Sequence, residues 1–304
     1  MIEVRRAGPL ITVQDLGRPG WAHLGVPRSG ALDAPALRLG NRLVGNPEPA
    51  AGLEVTLTGC TLVLRAGRVV AVTGAPAQVT VDGRPVASGA AVRVPAGSVL
   101  RVGPAREGVR SYLAVAGGIA VPPVLGSRST DTFSGLGPAP LRDGDLLPLG
   151  DPPAGEVSPV EEPGEGSVRR LCSAGFVGAE PACEPGPARV RLLPGPRADW
   201  FTEEAVGMLD GASYTVGVNS NRVAARLAGQ GLTRAVAGEL PSEGVVLGAV
   251  QVPPDGQPLV FLADHPTTGG YPVVAIVEPA DLPLLAQARP GATVTFHGPQ
   301  QRPG

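Results

Sequence analysis

Val79 to Val86 reads VTVDGRPV, two short alternating runs that meet at Asp82-Gly83, a dipeptide that tolerates the positive φ angles of a tight hairpin. VRVPAGSVLRV, Val92 to Val102, repeats the pattern around Pro95 to Gly97 and predicts a second hairpin. Further along, ARVRLLPG (Ala188 to Gly195), PLVFLAD (Pro258 to Asp264), YPVVAIV (Tyr271 to Val277) and ATVTFHG (Ala292 to Gly298) are strand candidates rich in β-branched residues. With 44 Gly and 35 Pro among 304 residues the chain is dense in turns, which favours many short strands over long helices. The expected fold is mainly β.

Helices are expected to be short and few. Ala34 to Val44 is a candidate, with Asp33 placed to cap its N-terminus, Pro35 in the first turn and Gly45 just past its end. Thr202 to Leu209 is another, with Glu203 and Glu204 favouring the helix dipole, and Asp281 to Ala288 a third. Asn219 and Ser220 stand where they would cap a further short helix, and Arg222 beyond them reads as a solvated cation. The alternating pattern breaks at DPPAGEVSPVEEPGEG, Asp151 to Gly166, which reads as a linker. The expected organisation is therefore one β-barrel-like lobe over 1–150, the linker over 151–166 and a second such lobe over 167–304.

Composition narrows the function. The formal net charge is -2 and no basic run stands out, so the electrostatic footprint of a nucleic-acid partner is absent. No apolar stretch reaches the roughly 20 residues of a membrane span, and the N-terminus lacks the apolar core of a signal peptide, so a cytoplasmic location is expected. Cys60, Cys172 and Cys183 form no CxxC pair, and His23, His265 and His297 form no HxH or HExxH spacing, so no metal site is expected from them. Every basic residue is Arg. The absence of Lys excludes a Walker A lysine, a Schiff base and a biotinyl-lysine on this chain.

Three irregular segments hold the chemistry. In TVQDLGRPGWAHLGVPRSGALD, Thr12 to Asp33, the side chains of Gln14, Asp15, Arg18, Ser29 and Asp33 supply acceptors, donors and an Arg fork suited to a carboxylate, an amide or a phosphate. An ordinary turn network closed by Asx and Arg hydrogen bonds fits the same spacing. In Gly117 to Gly137, Ser127, Arg128, Ser129 and Thr130 lie between glycine stretches and make a candidate anion cradle. In Leu240 to Pro272, Glu243, Gln251 and Asp264 precede the turn Thr267-Thr268-Gly269-Gly270-Tyr271. Asp264 reads either as a base or orienter or as a turn acceptor for Thr267 and Thr268.

Taken in order, TVQDLGRPG (Thr12 to Gly20), GVPRSGALD (Gly25 to Asp33), NRLVGN (Asn41 to Asn46), YLAVAGGI (Tyr112 to Ile119), LGSRST (Leu125 to Thr130), SEGVVLGAVQVPPDGQP (Ser242 to Pro258) and TTGGYP (Thr267 to Pro272) resemble the signature of the family that supplies the C component of 5-oxoprolinase. The family is also called KipA or allophanate hydrolase subunit 2, and is related to the carboxyltransferase domain of urea carboxylase. Two stretches depart from its pattern: GPAPLRDGD (Gly137 to Asp145) lacks the usual Gly-Arg pair, and SNRVAARL around Arg222 is looser than usual.

The resemblance implies two cyclophilin-like β-barrel lobes with a few short helices. It implies partnership with the other two components of 5-oxoprolinase, one KipI-like and one LamB/YcsF-like, and an ATP-driven opening of 5-oxo-L-proline to L-glutamate. On that reading Arg18 and Arg128 neutralise developing charge, while Asp15 and Asp264 orient the lactam nitrogen or hold Mg²⁺. Gln14, Ser29, Asp33, Ser127, Ser129, Thr130, Glu243, Gln251, Thr267, Thr268, Gly269, Gly270 and Tyr271 are the substrate-binding candidates. Two other readings stay open: carboxyl transfer to urea or a related amide from carboxybiotin held on another protein, and regulatory binding of a KipI-like partner.

Overall fold

The computed structural model describes residues 1–154 and 188–298; positions 155–166 of the Pro/Glu-rich stretch, with Cys172 and Cys183, lie outside the described residues. The described chain clusters into two compact units. The first comprises 1–18, 29–131 and 135–154; the second comprises 19–28, 132–134 and 188–298.

The first unit is built from β1 (Ile2–Arg6), β2 (Ile11–Gln14), β3 (Gly52–Thr56), β4 (Cys60–Leu64), β5 (Arg68–Gly74), β6 (Ala77–Val81), β7 (Arg84–Val86), β8 (Val92–Val94), β9 (Val99–Ala105), β10 (Arg110–Val115) and β11 (Leu146–Leu147). They form a six-stranded sheet in the order β11-β1-β4-β9-β6-β7 and a five-stranded sheet in the order β2-β3-β10-β5-β8. Inward side chains from both, among them Leu62 and Leu100 from one and Leu53 and Leu113 from the other, make a single apolar core.

The β6–β7 hairpin is as expected: Asp82 and Gly83 carry φ of 49° and 79°, and Val81 faces Arg84. The expectation for VRVPAGSVLRV fails. β8 pairs with β5 in one sheet while β9 pairs with β4 and β6 in the other, so Pro95 to Gly97 turn a corner between sheets. Alternation specifies which face a residue buries, not which strand it pairs with.

Helix α1 (Ala34–Leu43) packs on β5 and β10, burying Leu37. Asp33 caps it, its Oδ1 accepting from the Ala36 N–H at 3.0 Å, and Gly45 follows its end with a φ of 74°.

The second unit contains β12 (Ala188–Pro194), β13 (Ser213–Val216), β14 (Ala224–Ala228), β15 (Glu243–Gly244), β16 (Ala249–Gln251), β17 (Leu259–Phe261), β18 (Thr268–Gly269), β19 (Val273–Val277) and β20 (Thr293–His297). Seven of these close a barrel in the order β12-β19-β16-β17-β14-β13-β20, the ring being completed by the parallel pairing of β12 with β20. Closure removes the unpaired sheet edges that would otherwise invite association. Val190, Val250, Val260 and Phe296 are wholly buried.

Helix α2 (Glu203–Met208) has Thr202 as its cap, accepting from the Ala205 N–H, and α3 (Leu282–Gln287) follows a single 3₁₀ turn at Pro279–Asp281. No helix follows Asn219 and Ser220. Instead Asn221 Oδ1 accepts the N–H groups of Val223 and Ala224 in a side-chain-closed turn that leads into β14. The mainly β fold with a few short helices thus stands, and no described helix is long and apolar enough to cross a membrane.

Candidate functional site

In the first unit, the loop leaving β2 meets the loop around Ser127 to Thr130, more than a hundred residues later, and Asp15 joins them. Its Oδ1 accepts from the Gly17 N–H at 2.8 Å and from the Ser127 and Ser129 hydroxyls, each at 2.6 Å. Its Oδ2 accepts from the Arg128 N–H at 2.6 Å, and its own N–H donates to Ser129 Oγ at 3.0 Å. A buried carboxylate with four donors is satisfied, so Asp15 acts as the hub that sets the loop's shape.

That shape turns Ser127 and Ser129 inward and leaves Arg128 half-buried, its Nε donating to Val121 O at 2.7 Å. Arg18 is buried and donates from Nη2 to Ser129 O and from Nε to Val124 O. A Cβ on Gly137, where φ is +80°, would stand 2.1 Å from Ser129 O, so only glycine lets the chain pass there.

Beside this hub, Gln14 Nε2 donates to Thr130 O at 2.9 Å and to Thr12 Oγ1 at 3.0 Å, and the Ser29 hydroxyl donates to the same Thr130 O at 3.0 Å. Ser29 takes a positive φ of 53°, and the Ala31 N–H donates to Asp15 O at 2.9 Å. Gln14, Asp15, Arg18, Ser29 and Ser127 to Thr130 are therefore one polar cluster, buried except for the half-buried Arg128. Asp33, grouped with them in the sequence, is placed as the cap of α1.

A second network escaped the sequence reading. Glu54 on β3 lies directly across from Tyr112 on β10, and both are buried. Glu54 Oε2 accepts from the Tyr112 hydroxyl at 2.8 Å and from the Leu32 N–H at 3.1 Å, and Glu54 Oε1 lies 3.5 Å from Arg110 Nε. The Tyr112 oxygen in turn accepts from the Asp33 N–H at 2.8 Å. Burial first, then the charges of Glu54 and Asp33, push the Tyr112 hydroxyl well above its ordinary pKa, so it remains a donor. The network pins residues 32–33 to the sheet. Its sequence signal was a lone acid inside the apolar run GLEVT.

In the second unit Asp264 is wholly buried and takes two donors from Arg222 and two from Thr132: Arg222 Nε at 2.8 Å, Arg222 Nη2 at 2.9 Å, the Thr132 N–H at 2.9 Å and the Thr132 hydroxyl at 2.7 Å. Burial alone would raise its pKa; the Arg222 charge and the hydrogen bonds of Arg222 and Thr132 outweigh that and hold it below the usual carboxylate value. Arg222 is thus a buried ion-pair partner, not the solvated cation expected. Its partner lies 42 residues away in the chain, beyond the reach of local pattern.

The rest of the third segment also comes together. Glu243 pairs with Gly269 across β15 and β18, the Val245 N–H reaches Thr267 O at 3.0 Å, and Gln251 Nε2 donates to Tyr271 O at 2.9 Å. Glu243 is held by both Nε and Nη2 of Arg197, whose hydrogen bonds lower its pKa. A Cβ on Gly269 would meet Gln251 Nε2 at 2.6 Å. Within the turn Thr267 to Tyr271, it is Gly269 and the Tyr271 carbonyl that meet Gln251, while Gly270 is exposed.

Two concave surfaces lie elsewhere: an open one of about 530 Å³ around Val218 to Asn221 and Arg226, and a groove of about 220 Å³ near Leu39, Gly74, Val86 and Arg106. Neither includes a residue of the polar clusters. Among the described residues, no group of three or more His, Cys, Asp or Glu could hold a metal ion.

The family model described as carboxyltransferase domain, subdomain A and B, matches residues 24–298. The chain is 40% identical to the C subunit of 5-oxoprolinase of Escherichia coli (strain K12) over 299 residues, covering 97% of this chain and 90% of that protein. Among solved structures, TTHA0988 matches with a TM-score of 0.81 and 39% identity over 98% of this chain and 56% of its own. The urea carboxylase of Kluyveromyces lactis matches with a TM-score of 0.83 and 31% identity over 97% of this chain and 27% of its own. The chain thus spans about half of one solved relative and about a quarter of the other.

Proposed function

Since the chain belongs to the family of carboxyltransferase domains with subdomains A and B, we propose that it is the C component of an ATP-dependent 5-oxoprolinase. The observation that carries this reading is coverage: the 40% identity extends over 90% of the corresponding 5-oxoprolinase component, whereas urea carboxylase is matched over 27% of its length. The chain would work with a KipI-like partner and a LamB/YcsF-like partner.

The reaction opens an unstrained lactam, which ATP makes favourable. The γ-phosphoryl group passes to the lactam oxygen and ADP leaves, which makes the ring carbon electrophilic. Water adds to that carbon and the C–N bond breaks with the nitrogen taking a proton, which leaves the acyl phosphate of glutamate; a second water hydrolyses it, releasing phosphate and the carboxylate of L-glutamate. Catalysis of this kind is mainly positioning and charge neutralisation. Arg128 suits the second role, because among the described residues only the Nε of its guanidinium is committed. Arg18 adds a fixed buried charge, and Asp15 holds both loops in register.

Asp15 and Asp264 fit Mg²⁺ poorly, since their oxygens already face four donors each, and a hard cation needs free carboxylate oxygen. The ion would instead come bound to ATP. A second reading, carboxyl transfer to a small amide, is favoured by the likeness to urea carboxylase, and without Lys these residues offer biotin no attachment point of their own.

The test is release of ADP and glutamate from ATP and 5-oxo-L-proline by this chain mixed with its KipI-like and LamB/YcsF-like partners, compared with each omission. Turnover that needs all three sustains the proposal. If the three proteins associate and ATP stays untouched, the proposal falls and carboxybiotin-dependent transfer becomes the reading to test.

A further inference from the structure

Gln14 and Thr130 adjoin in the first-unit cluster, joined by the 2.9 Å bond from Gln14 Nε2 to Thr130 O, and their side chains are 0% and 1% exposed. Among the described residues neither Gln14 Oε1 nor Thr130 Oγ1 has a hydrogen-bond partner. The orientation of the Gln14 amide is settled by its surroundings. Its nitrogen faces the carbonyl of Thr130, where an oxygen would meet another acceptor, so Oε1 is the atom left over.

The Thr130 carbonyl beside them accepts from both Gln14 Nε2 and the Ser29 hydroxyl. Unpaired buried oxygens destabilise a fold, so each calls for an explanation, a ligand that pairs with it being one. The two atoms differ in kind: Gln14 Oε1 only accepts, whereas Thr130 Oγ1 has a proton to give. Both are neutral, which suits a neutral group.

We propose that Gln14 Oε1 and Thr130 Oγ1 read the amide edge of the lactam, Gln14 accepting the ring N–H and Thr130 donating its hydroxyl proton to the ring carbonyl. A five-membered lactam locks its amide cis, so N–H and C=O emerge side by side and call for one acceptor and one donor on the same side of the ring. An open-chain trans amide points the two groups in opposite directions. The product, with an ammonium and a carboxylate in place of the amide, has no such edge and is released. Because both atoms are enclosed, a ligand reaches them only as the surrounding loop residues shift, and association is slower than diffusion allows. The inference rests on the lactam reading of the function.

The test uses the complex reconstituted with its two partner proteins and 5-oxo-L-proline as the probe, with binding followed by calorimetry and ligand-free Tm by scanning. Thr130→Val and Gln14→Met are expected to bind roughly tenfold or more weakly. The ligand-free Tm of Thr130→Val is expected to hold or rise, because an unpaired hydroxyl has been removed; Thr130→Ser is expected to bind as the wild type does. Wild-type affinity in both variants overturns the inference alone. So does a Tm lowered by several degrees in Thr130→Val, the mark of a hydroxyl already paired with an internal water. A wild-type complex that binds no 5-oxo-L-proline overturns the functional reading and this inference together.

Discussion

Arg222 and Asp264 meet in a two-point ion pair inside the second unit, with Nε 2.8 Å from Oδ2 and Nη2 2.9 Å from Oδ1, and their side chains 1% and 0% exposed. The same carboxylate receives both donors of Thr132, so the pair also fastens residues 132–134 within this unit. Desolvating two charges is costly, and the pair is sustained by its geometry and by having its acceptors filled. Removing one partner leaves the other buried and uncompensated. Arg222→Met is therefore expected to lower stability by about 3–5 kcal/mol in urea titrations. The double change Arg222→Met with Asp264→Leu should cost less than the sum of the single changes. Additive losses would show that the two side chains do not act as a pair.

The depressed pKa of Asp264 sets a pH window. A carboxylate whose folded pKa lies below its unfolded value, about 4, contributes stability above that value and loses it as pH falls toward the folded pKa. The Tm gap between the wild type and Asp264→Asn should accordingly be flat from about pH 6 to pH 8 and shrink below about pH 4. A gap that closes already near neutrality would contradict the sign of the shift.

How much of this was legible in the sequence depends on how far each feature reaches along the chain. The turn at Asp82-Gly83 and the cap of α1 at Asp33 rest on residues two or three positions apart, and both were readable. The corner at Pro95 to Gly97 was misread because period-2 alternation is silent about the partner strand. The loops carrying Asp15 and Ser129 were each recognisable as polar and irregular, but their union depends on contacts across 114 residues. Glu54 was missed because an acid within an apolar strand looks like an exposed position until the Tyr112 hydroxyl across the ladder is seen to meet it.

Asp15→Asn tests the hub. Asparagine keeps an acceptor for Gly17, Ser127 and Ser129, but its amide nitrogen would face the Arg128 N–H where Oδ2 now accepts. One donor–donor conflict in a buried site costs about 1–3 kcal/mol. A Tm lowered by several degrees and turnover of the reconstituted complex reduced by an order of magnitude or more are expected, since Arg128 hangs on the displaced backbone. Unchanged Tm and turnover would remove Asp15 from its role as organiser.

Tyr112→Phe removes the hydroxyl that bridges the Asp33 N–H and Glu54. Two buried groups then lose a partner, and a loss of about 2 kcal/mol is expected by urea denaturation. Hydrogen exchange locates the effect: the Asp33 and Ala36 amides should exchange faster, while amides of the barrel in the second unit should be untouched. Equal loosening in both units would mean that the network is not local.

Gly135 and Gly137 form a natural control for the last test. Both take positive φ, 75° and 80°, so alanine meets similar backbone strain at each, about 1–2 kcal/mol. They differ in what surrounds the added methyl: nothing lies within 4 Å at Gly135, whereas at Gly137 the Ser129 carbonyl oxygen stands 2.1 Å away. That oxygen is the one Arg18 Nη2 holds, so relieving the clash displaces the loop that carries Ser127 to Thr130. Gly135→Ala should show strain alone and retain turnover in the reconstituted complex. Gly137→Ala should lose about 2 kcal/mol more and most of its turnover, the overpacking penalty being added to the strain. Equal losses at the two positions would show that the carbonyl yields freely and that the loop's fit around Arg18 is not what the cluster depends on.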